Sequence, residues 1–382
     1  MPRKIAAVTG TRAEYGIIRS VLRAIQAHPG LELALIVTGM HLSREYGHTI
    51  DEILEDGFDV DAKVDMLLSS DTGASMARGV GLAVIGMADA LERIEPDLLM
   101  ITGDRGEMLS AAIAAAHINV PTAHLHGGEV SGTVDESIRH ATTKLSHIHF
   151  AATEASAERI RRLGENPEHI FVVGAAGLDE IVAGSPPGCD EVCARLGFDP
   201  ELPLVLLTQH PVTTEIEQAE QQMRTTLEAL DALGYQTVIV YPNSDAGGRR
   251  MTDAIKEYRG RSWFRGYPNI GRQLYLAVMS CADVMVGNSS SGIIEAPLFG
   301  LPFVCVGTRQ VGRERGSNVI EVGHDSEEIA STVRRLVEDA GFRAEHTDGI
   351  STYGDGHSGE RIARLLAEIP IVPSLVQKKI SY

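Results

Sequence analysis

The stretch Asp283-Val284-Met285-Val286-Gly287-Asn288-Ser289-Ser290-Ser291-Gly292-Ile293-Ile294-Glu295-Ala296-Pro297 reads as a short buried strand, a Gly/Ser turn and the first turn of a helix. Backbone N–H groups and three hydroxyls converge where that helix starts. Unpaired donors and the positive end of the helix dipole suit a phosphate or diphosphate there. Ser289, Ser290, Ser291 and Gly292 are therefore candidate phosphate ligands, and Glu295, one turn in, is placed to take the two hydroxyls of a ribose. An ordinary strand-to-helix turn with serine as N-cap accounts for the same residues.

The same unit repeats outward from this stretch. Apolar runs at 4–8, 32–37, 98–102, 122–125, 148–152 and 170–173 alternate with amphipathic segments at 17–27, 75–94 and 156–163. After the Gly/Pro-rich segment 183–188 the alternation restarts, with strands predicted at 204–208, 237–241, 284–286, 303–306 and 319–322. Helices are predicted between them at 215–233, 249–258, 271–281 and 327–339. Strand-helix-strand alternation with continuously apolar strands means parallel sheets covered on both faces. The predicted fold is α/β: two Rossmann-like, doubly wound domains facing a cleft, at 1–183 and 189–357, with a last segment 358–382 whose helix returns to the first domain.

The chain has 382 residues, enough for two cores. With 34 Lys and Arg against 52 Asp and Glu the net charge is −18, which argues against nucleic acid or an anionic membrane as partner. A local arginine cluster can still hold a phosphorylated ligand. No signal peptide and no uninterrupted apolar run of membrane-spanning length is read, so a cytoplasmic location is expected. Cys189, Cys193, Cys281 and Cys305 form no zinc pattern and are expected to be reduced thiols.

Each informative motif follows a predicted strand, where open parallel sheets bind ligands. In Val8-Thr9-Gly10-Thr11-Arg12-Ala13-Glu14-Tyr15-Gly16, Arg12 offers a planar fork for phosphate at a helix start. In Thr102-Gly103-Asp104-Arg105-Gly106-Glu107, Asp104 is a general acid or base, or else a helix N-cap. His124-Leu125-His126-Gly127-Gly128-Glu129 puts two histidines on one strand face beside Glu129, and Asp135 follows in Asp135-Glu136-Ser137-Ile138-Arg139-His140. A metal triad is conceivable, but the spacing matches no zinc signature, and acid/base work by Glu129 and Asp135 fits better. His210, before Pro211, is a phosphate ligand or a structural residue, and Arg309 with Arg313 and Arg315 adds positive charge beside the serine loop.

Together these stretches resemble the hydrolysing UDP-N-acetylglucosamine 2-epimerases of the sialic-acid type. The matching segments are TGTRAEYG, VTGMHLSREYG, GDRGE, HLHGGEVSGTVDESIRHATTKLSHIHF, HPVTTE, YPNSDAG, GNSSSGIIEAP and GTRQ, in family order from Val8 to Gln310. The resemblance implies the two-domain arrangement of B-type glycosyltransferases (GT-B). It also implies a two-step reaction: C2 of the sugar loses a proton as UDP leaves C1, and water adds to the resulting 2-acetamidoglucal, giving N-acetylmannosamine. No metal or other cofactor is implied, and the family suggests a homo-oligomer, dimer or tetramer.

By the same resemblance Asp104 and Asp135 match catalytic acidic residues. Arg12, His210, Ser289, Ser290, Glu295 and Asn243 match nucleotide-binding positions, to which Arg105, Ser291, Gly292 and Arg309 are added as neighbours. Either His126 or Glu129 takes the second proton-transfer role, His126 being the aligned residue. Relatives also act on UDP- or GDP-linked 2,4-diacetamido-2,4,6-trideoxyglucose on the legionaminic-acid route. UDP-N-acetylglucosamine is the first expectation and the diacetamido sugar the alternative. A glycosyltransferase of the same fold, a non-catalytic nucleotide-sugar sensor and a non-hydrolysing epimerase are the competing readings.

Overall fold

Every strand pairs in parallel with its neighbours, and the strands form two separate sheets. The structure, a computed structural model, describes residues 2–70, 72–130, 134–184, 186–243, 245–347, 349 and 351–382. Ser131, Gly132 and Thr133 of the histidine-glycine motif, Ser185 of the linker and Ser244 of YPNSDAG lie outside the described residues. The chain folds as two compact units. One comprises Met1–Glu129, Val134–Ala183 and Tyr353–Tyr382, the other Gly184–Thr352 with Val130.

The first unit runs β1 (Arg3–Thr9), α1 (Arg12–Ala27), β2 (Leu31–Thr38), α2 (Ile50–Glu55), β3 (Ala62–Val64), α3 (Gly73–Ile94), β4 (Leu98–Thr102) and α4 (Gly106–Ile118). It continues with β5 (Thr122–Leu125), α5 (Val134–Leu145), β6 (Ile148–Ala151), α6 (Glu154–Arg162), β7 (Ile170–Val172) and α7 (Asp179–Ala183). Its sheet has the order β3-β2-β1-β4-β5-β6-β7. Successive residues of β1 serve opposite faces, as a strand's period of two requires. Ile5 and Ala7 pack with Tyr15, Ile18 and Leu22 of α1, whereas Ala6 and Val8 pack with Met87, Met108 and Ala111 from α3 and α4.

The second unit runs α8 (Cys189–Leu196), β8 (Leu204–Thr208), α9 (Ala219–Leu233), β9 (Gln236–Val240), α10 (Gly248–Lys256), β10 (Phe264–Tyr267) and α11 (Arg272–Cys281). Then follow β11 (Val284–Gly287), α12 (Ser291–Ile294), β12 (Phe303–Val306), β13 (Val319–Val322), α13 (Ser326–Glu338) and α14 (Ala340–Ala344). The sheet order is β10-β9-β8-β11-β12-β13. Val205, Leu207, Val284, Val286 and Val304 pack with α9 and α13 residues such as Met223, Leu227 and Val333. The chain ends in the first unit with α15 (Ser358–Glu368) and α16 (Pro373–Val376). Ile362 and Leu366 of α15 join the α1 core, and Asp179 accepts the N–H groups of Ser358 and Gly359 at 2.9 and 2.6 Å, fixing where α15 starts.

Three features bear on the sequence reading, the first two as differences. Two of the four edge strands, β3 and β10, were not predicted. Each is short, and the exposed Lys63 and half-exposed Arg265 interrupt the apolar run that marks the inner strands. Cys189 and Cys281 are not separate thiols: they form a disulfide with Cα atoms 5.3 Å apart, joining the start of α8 to the end of α11, while Cys193 and Cys305 are free and buried. Ninety-two residues separate that pair, so local spacing carried no sign of it. Finally, α3 is, among the described residues, the one helix long and apolar enough to cross a membrane by length and composition, although Ala83, Met87 and Leu91 are buried in the core of the first unit.

Candidate active site

In each sheet the strand order reverses beside the first strand of the unit, between β1 and β4 and between β8 and β11. Chain connections there leave toward opposite faces, which opens a crevice at the carboxyl ends of the two strands. In the first unit those ends carry Gly10-Thr11-Arg12 and Gly103-Asp104-Arg105. In the second they carry Gln209-His210 and Asn288-Ser289-Ser290-Ser291.

After β1, Thr11 caps α1 and Glu14 closes a capping box. Thr11 Oγ1 accepts the Glu14 N–H at 3.2 Å, and Glu14 Oε2 accepts the N–H groups of Gly10 and Thr11, both at 3.0 Å. The loop is thus held from beneath, with Arg12 as the first residue of the helix. Burial, and then the charge of Glu107, raise the Glu14 carboxyl to about 8, against the opposing pull of Arg105. Arg105 Nε lies 3.4 Å from Glu107 Oε2.

After β4, helix α4 is capped at the Arg105 position, so Asp104 stands one residue outside the cap. Its carboxylate is instead ion-paired with Arg139 of α5, whose side chain is 3% exposed against 22% for Asp104. Asp135 lies in the first turn of α5, four residues before Arg139 and therefore on the helix face that Arg139 ties to Asp104. The structure thus gathers Asp104 and the Asp135 face through a residue given no role in the sequence reading.

After β5 the two histidines separate. The strand ends at Leu125, so its alternation does not extend to His126. His124 is fully buried, with Nε2 donating to the Gly103 carbonyl at 2.7 Å and Nδ1 3.2 Å from Thr143 Oγ1. Burial lowers its pKa to about 3, and it stays neutral and structural. His126 turns into the left-handed region at φ 62°, and its Nδ1 meets Glu129 Oε1 at 2.7 Å. A shared strand face for His124 and His126 is therefore not formed. Among the described residues no group of three or more His, Cys, Asp or Glu side chains is arranged to hold a metal ion.

In the second unit Asn288, buried, clasps His210 by both backbone groups. Its Oδ1 accepts the His210 N–H at 2.7 Å, and its Nδ2 donates to the His210 carbonyl at 2.9 Å. The Asn288 carbonyl accepts from Gln310 Nε2 at 2.8 Å and Arg309 Nη1 at 3.2 Å. The Asn243 N–H donates to His210 Nδ1 at 3.2 Å, which puts the proton of the neutral ring on Nε2. The Asn243 side chain is itself braced, donating to Asp245 Oδ2 at 2.7 Å.

The serine loop is shaped by Gly287 and Gly292. At φ 125°, a Cβ on Gly287 would lie 2.1 Å from the Thr208 carbonyl oxygen, and one on Gly292 would lie 2.5 Å from the Phe303 ring. Ser289 and Ser291 hydroxyls are 2.9 Å apart, and Tyr275 Oη reaches Ser291 Oγ at 2.6 Å. Ser290 occupies the cap position without a side-chain capping bond. The expected helix is a single α turn followed by a 3₁₀ turn at Ala296–Phe299, because Pro297 has no N–H with which to continue the ladder. One turn carries little dipole, so the helix itself adds little positive charge at this loop. Glu295 pairs with Arg272 of α11, Oε1 to Nη1 at 2.6 Å, both side chains being buried. Arg139, Asn288, Arg272 and Tyr275 had no assigned role in the sequence. Arg139 and Asn288 sit inside motifs already singled out, whereas Arg272 and Tyr275 carry no local signal.

A family model described as UDP-N-acetylglucosamine 2-epimerase matches residues 23–367. Over its whole length the chain is 42% identical to a Legionella pneumophila protein named UDP-N,N'-diacetylbacillosamine 2-epimerase (hydrolyzing), with 100% of both chains covered. It is 35% identical over 345 residues to a UDP-N-acetylglucosamine 2-epimerase of Neisseria meningitidis, covering 90% of each. Among solved structures, the Neisseria meningitidis UDP-GlcNAc 2-epimerase bound to UDP-GlcNAc superposes with a TM-score of 0.79 at 19% identity, covering 96% of this chain and 100% of that one. That likeness shows the GT-B-like fold.

Proposed function

From the premise that this chain belongs to the UDP-N-acetylglucosamine 2-epimerase family, we propose that it is a hydrolysing 2-epimerase whose substrate is a UDP-linked 2,4-diacetamido-2,4,6-trideoxyglucose. The observation that carries the substrate is the end-to-end 42% identity to the Legionella pneumophila protein of that printed activity. UDP-N-acetylglucosamine, the first expectation from the sequence, becomes the second reading, favoured by the relative at 35%.

In the reaction proposed, the C2–H and C1–O bonds break as UDP departs and a C1=C2 double bond forms. Water then adds its oxygen to C1, and C2 regains a proton on the opposite face. No net oxidation occurs, so no redox cofactor is required. Asp104, aimed by Arg139, is the proposed base at C2. His126, whose Nδ1 is engaged by Glu129, exchanges its proton through Nε2 on the other side, with Glu129 as its orienting residue. Asp135 is assigned to the water step.

The nucleotide end is assigned to Arg12, Arg105 and Arg309, to His210 through its Nε2–H, and to the N–H groups and hydroxyls of Ser289, Ser290, Ser291 and Gly292. Asn243 sets the His210 tautomer. Glu295 takes the ribose through Oε2, since Arg272 approaches Oε1. Fixed donors around a departing diphosphate favour the transition state over the bound substrate.

Proton NMR in heavy water tests this reading. Free UDP together with a C2-deuterated 2,4-diacetamido-2,4,6-trideoxymannose is expected. Turnover of UDP-N-acetylglucosamine alone would transfer the enzyme to the second reading, and turnover of the GDP-linked sugar alone would change the nucleotide. A C2-deuterated sugar still attached to UDP would remove the hydrolytic step.

A further inference from the structure

Helix α5 carries Asp135 in its first turn and, one turn further on, Arg139, the partner of Asp104. It is only 12 residues long, so whatever holds its far end also sets the direction of these two side chains. The last carbonyls of a helix have no partner within it. At the end of α5 one side chain takes up much of that deficit. Lys378 Nζ donates to the carbonyls of Thr143, Lys144 and Ser146 at 3.1, 2.7 and 2.5 Å. Thr143 lies one helical turn beyond Arg139, and its hydroxyl meets Nδ1 of His124, which ties this end of α5 to β5 as well.

The same ammonium lies 2.5 Å from Glu165 Oε2. Glu165 is 1% exposed, and its two oxygens also hold Lys144 Nζ of α5 at 2.6 Å and His149 Nε2 of β6 at 3.0 Å. Burial pushes the Glu165 carboxyl up, but the hydrogen bonds from His149, Lys144 and Lys378 outweigh it and bring the pKa down to about 2. Nor is the backbone around Lys378 loose. It follows α16, whose Leu375 is buried in the core beside α1. Three residues beyond Lys378, Ser381 donates its N–H to the Gly164 carbonyl at 3.1 Å and its hydroxyl to the Glu165 carbonyl at 3.0 Å. A surface lysine capping a helix needs neither a buried counter-ion nor a backbone anchored on both sides.

We propose that Lys378 is a positioning residue for the reaction. The segment 377–382 straps the carboxyl end of α5 to Glu165, and so fixes Arg139 against Asp104 and Asp135 on the same helix. The proposal rests on the reading of Asp104 as the base at C2.

Lys378→Met, which keeps the length of the side chain and removes its charge, tests this on the full chain. On the sugar nucleotide that the enzyme turns over, kcat should fall about tenfold or more. The dissociation constant for UDP, set by residues outside α5, should stay the same. Hydrogen exchange should quicken in residues 134–146 but not in α1 of the same unit. Lys378→Arg keeps a cation with several donors and should recover most of the rate. In an Asp104→Asn background Lys378→Met should cost less than about twofold more, because no base is left to aim. Unchanged kcat, unchanged exchange in 134–146, or a Lys378→Arg no better than Lys378→Met would each overturn the strap. So would a full tenfold loss in the Asp104→Asn background, the mark of simple destabilisation. Asp104→Asn as active as the wild type would instead remove the base, and exchange in 134–146 would still decide the strap. If Lys378→Met does not fold, removal of residues 380–382 takes its place, since it keeps the ammonium and deletes the Ser381 anchor. The same exchange pattern with an about threefold lower kcat is then expected, and no change in either would overturn the proposal.

Discussion

Arg139, in the second turn of α5, is ion-paired with Asp104 at the end of β4, although 35 residues of chain separate them. The pair ties the start of α5, and with it Asp135, to the crevice beside β1. A carboxylate held in this way has a fixed direction, which a general base needs before it needs any particular pKa. Asp104→Asn keeps the shape but cannot take a proton, so turnover should fall about 100-fold or more. Isothermal titration with UDP should find the affinity of the variant unchanged. Equal turnover in the two proteins would take Asp104 out of the chemistry.

A second prediction concerns Asn288. Its side chain satisfies both backbone groups of His210, and its own carbonyl is the anchor for Gln310 and Arg309. Asn288→Ala would leave two backbone groups without partners, and should cost about 2–4 kcal/mol of stability in urea unfolding. Asn288→Asp keeps the acceptor for the N–H but sets an anion against the His210 carbonyl, and should weaken UDP binding as well. If both variants melted like the wild type, the clasp would not be organising the loop.

The limits of sequence legibility follow from these same contacts. Strands β4, β5, β8 and β12 have the boundaries predicted for them, because each is a short run of buried residues; β13 also matches, although only Val322 of it is buried. Two of the edge strands, β3 and β10, lack such runs and were missed. Helix α4 was not singled out, since Ala111, Ala112, Ala114 and Ala115 are buried around much of its circumference and blunt the 3.6-residue periodicity. Motif residues such as Asp104, His126 and His210 were legible because they follow strands. Their partners were not: Arg139, Asn288, Arg272 and Cys281 act on residues that only the tertiary fold brings near. His126 was misplaced for a local reason, because a positive φ cannot be foreseen from a histidine followed by two glycines.

Stability should depend on pH through Glu14. Unfolded, this carboxyl ionises at its ordinary value of 4.5, whereas burial and the neighbouring Glu107 raise it to about 8 in the folded protein. Between these values the folded state holds the extra proton, so Glu14 stabilises the fold less as pH climbs through that window and the loss levels off above it. The slope from this one group cannot exceed about 1.4 kcal/mol per pH unit. Glu14→Gln removes it while keeping an acceptor for the Gly10 and Thr11 N–H groups. Urea unfolding from pH 5 to 8.5 should therefore show the wild type losing stability relative to this variant. A constant difference between the two across that range would contradict the raised carboxyl.

In the mechanism proposed here His126 and Glu129 divide one role between two residues, and kinetics can apportion it. Glu129 Oε1 holds His126 Nδ1 at 2.7 Å, and its side chain is only 3% exposed against 11% for His126. The more accessible member of such a pair exchanges protons with a ligand, and the buried member sets its tautomer and direction. His126→Asn should then lower kcat by about 100-fold or more, whereas Glu129→Gln should lower it by about tenfold. The two effects should not add in the double variant, since an orienting residue has nothing left to orient once the ring is gone. If Glu129→Gln proved the more damaging change and His126→Asn a mild one, the carboxylate would be the proton-transfer group and the histidine its support.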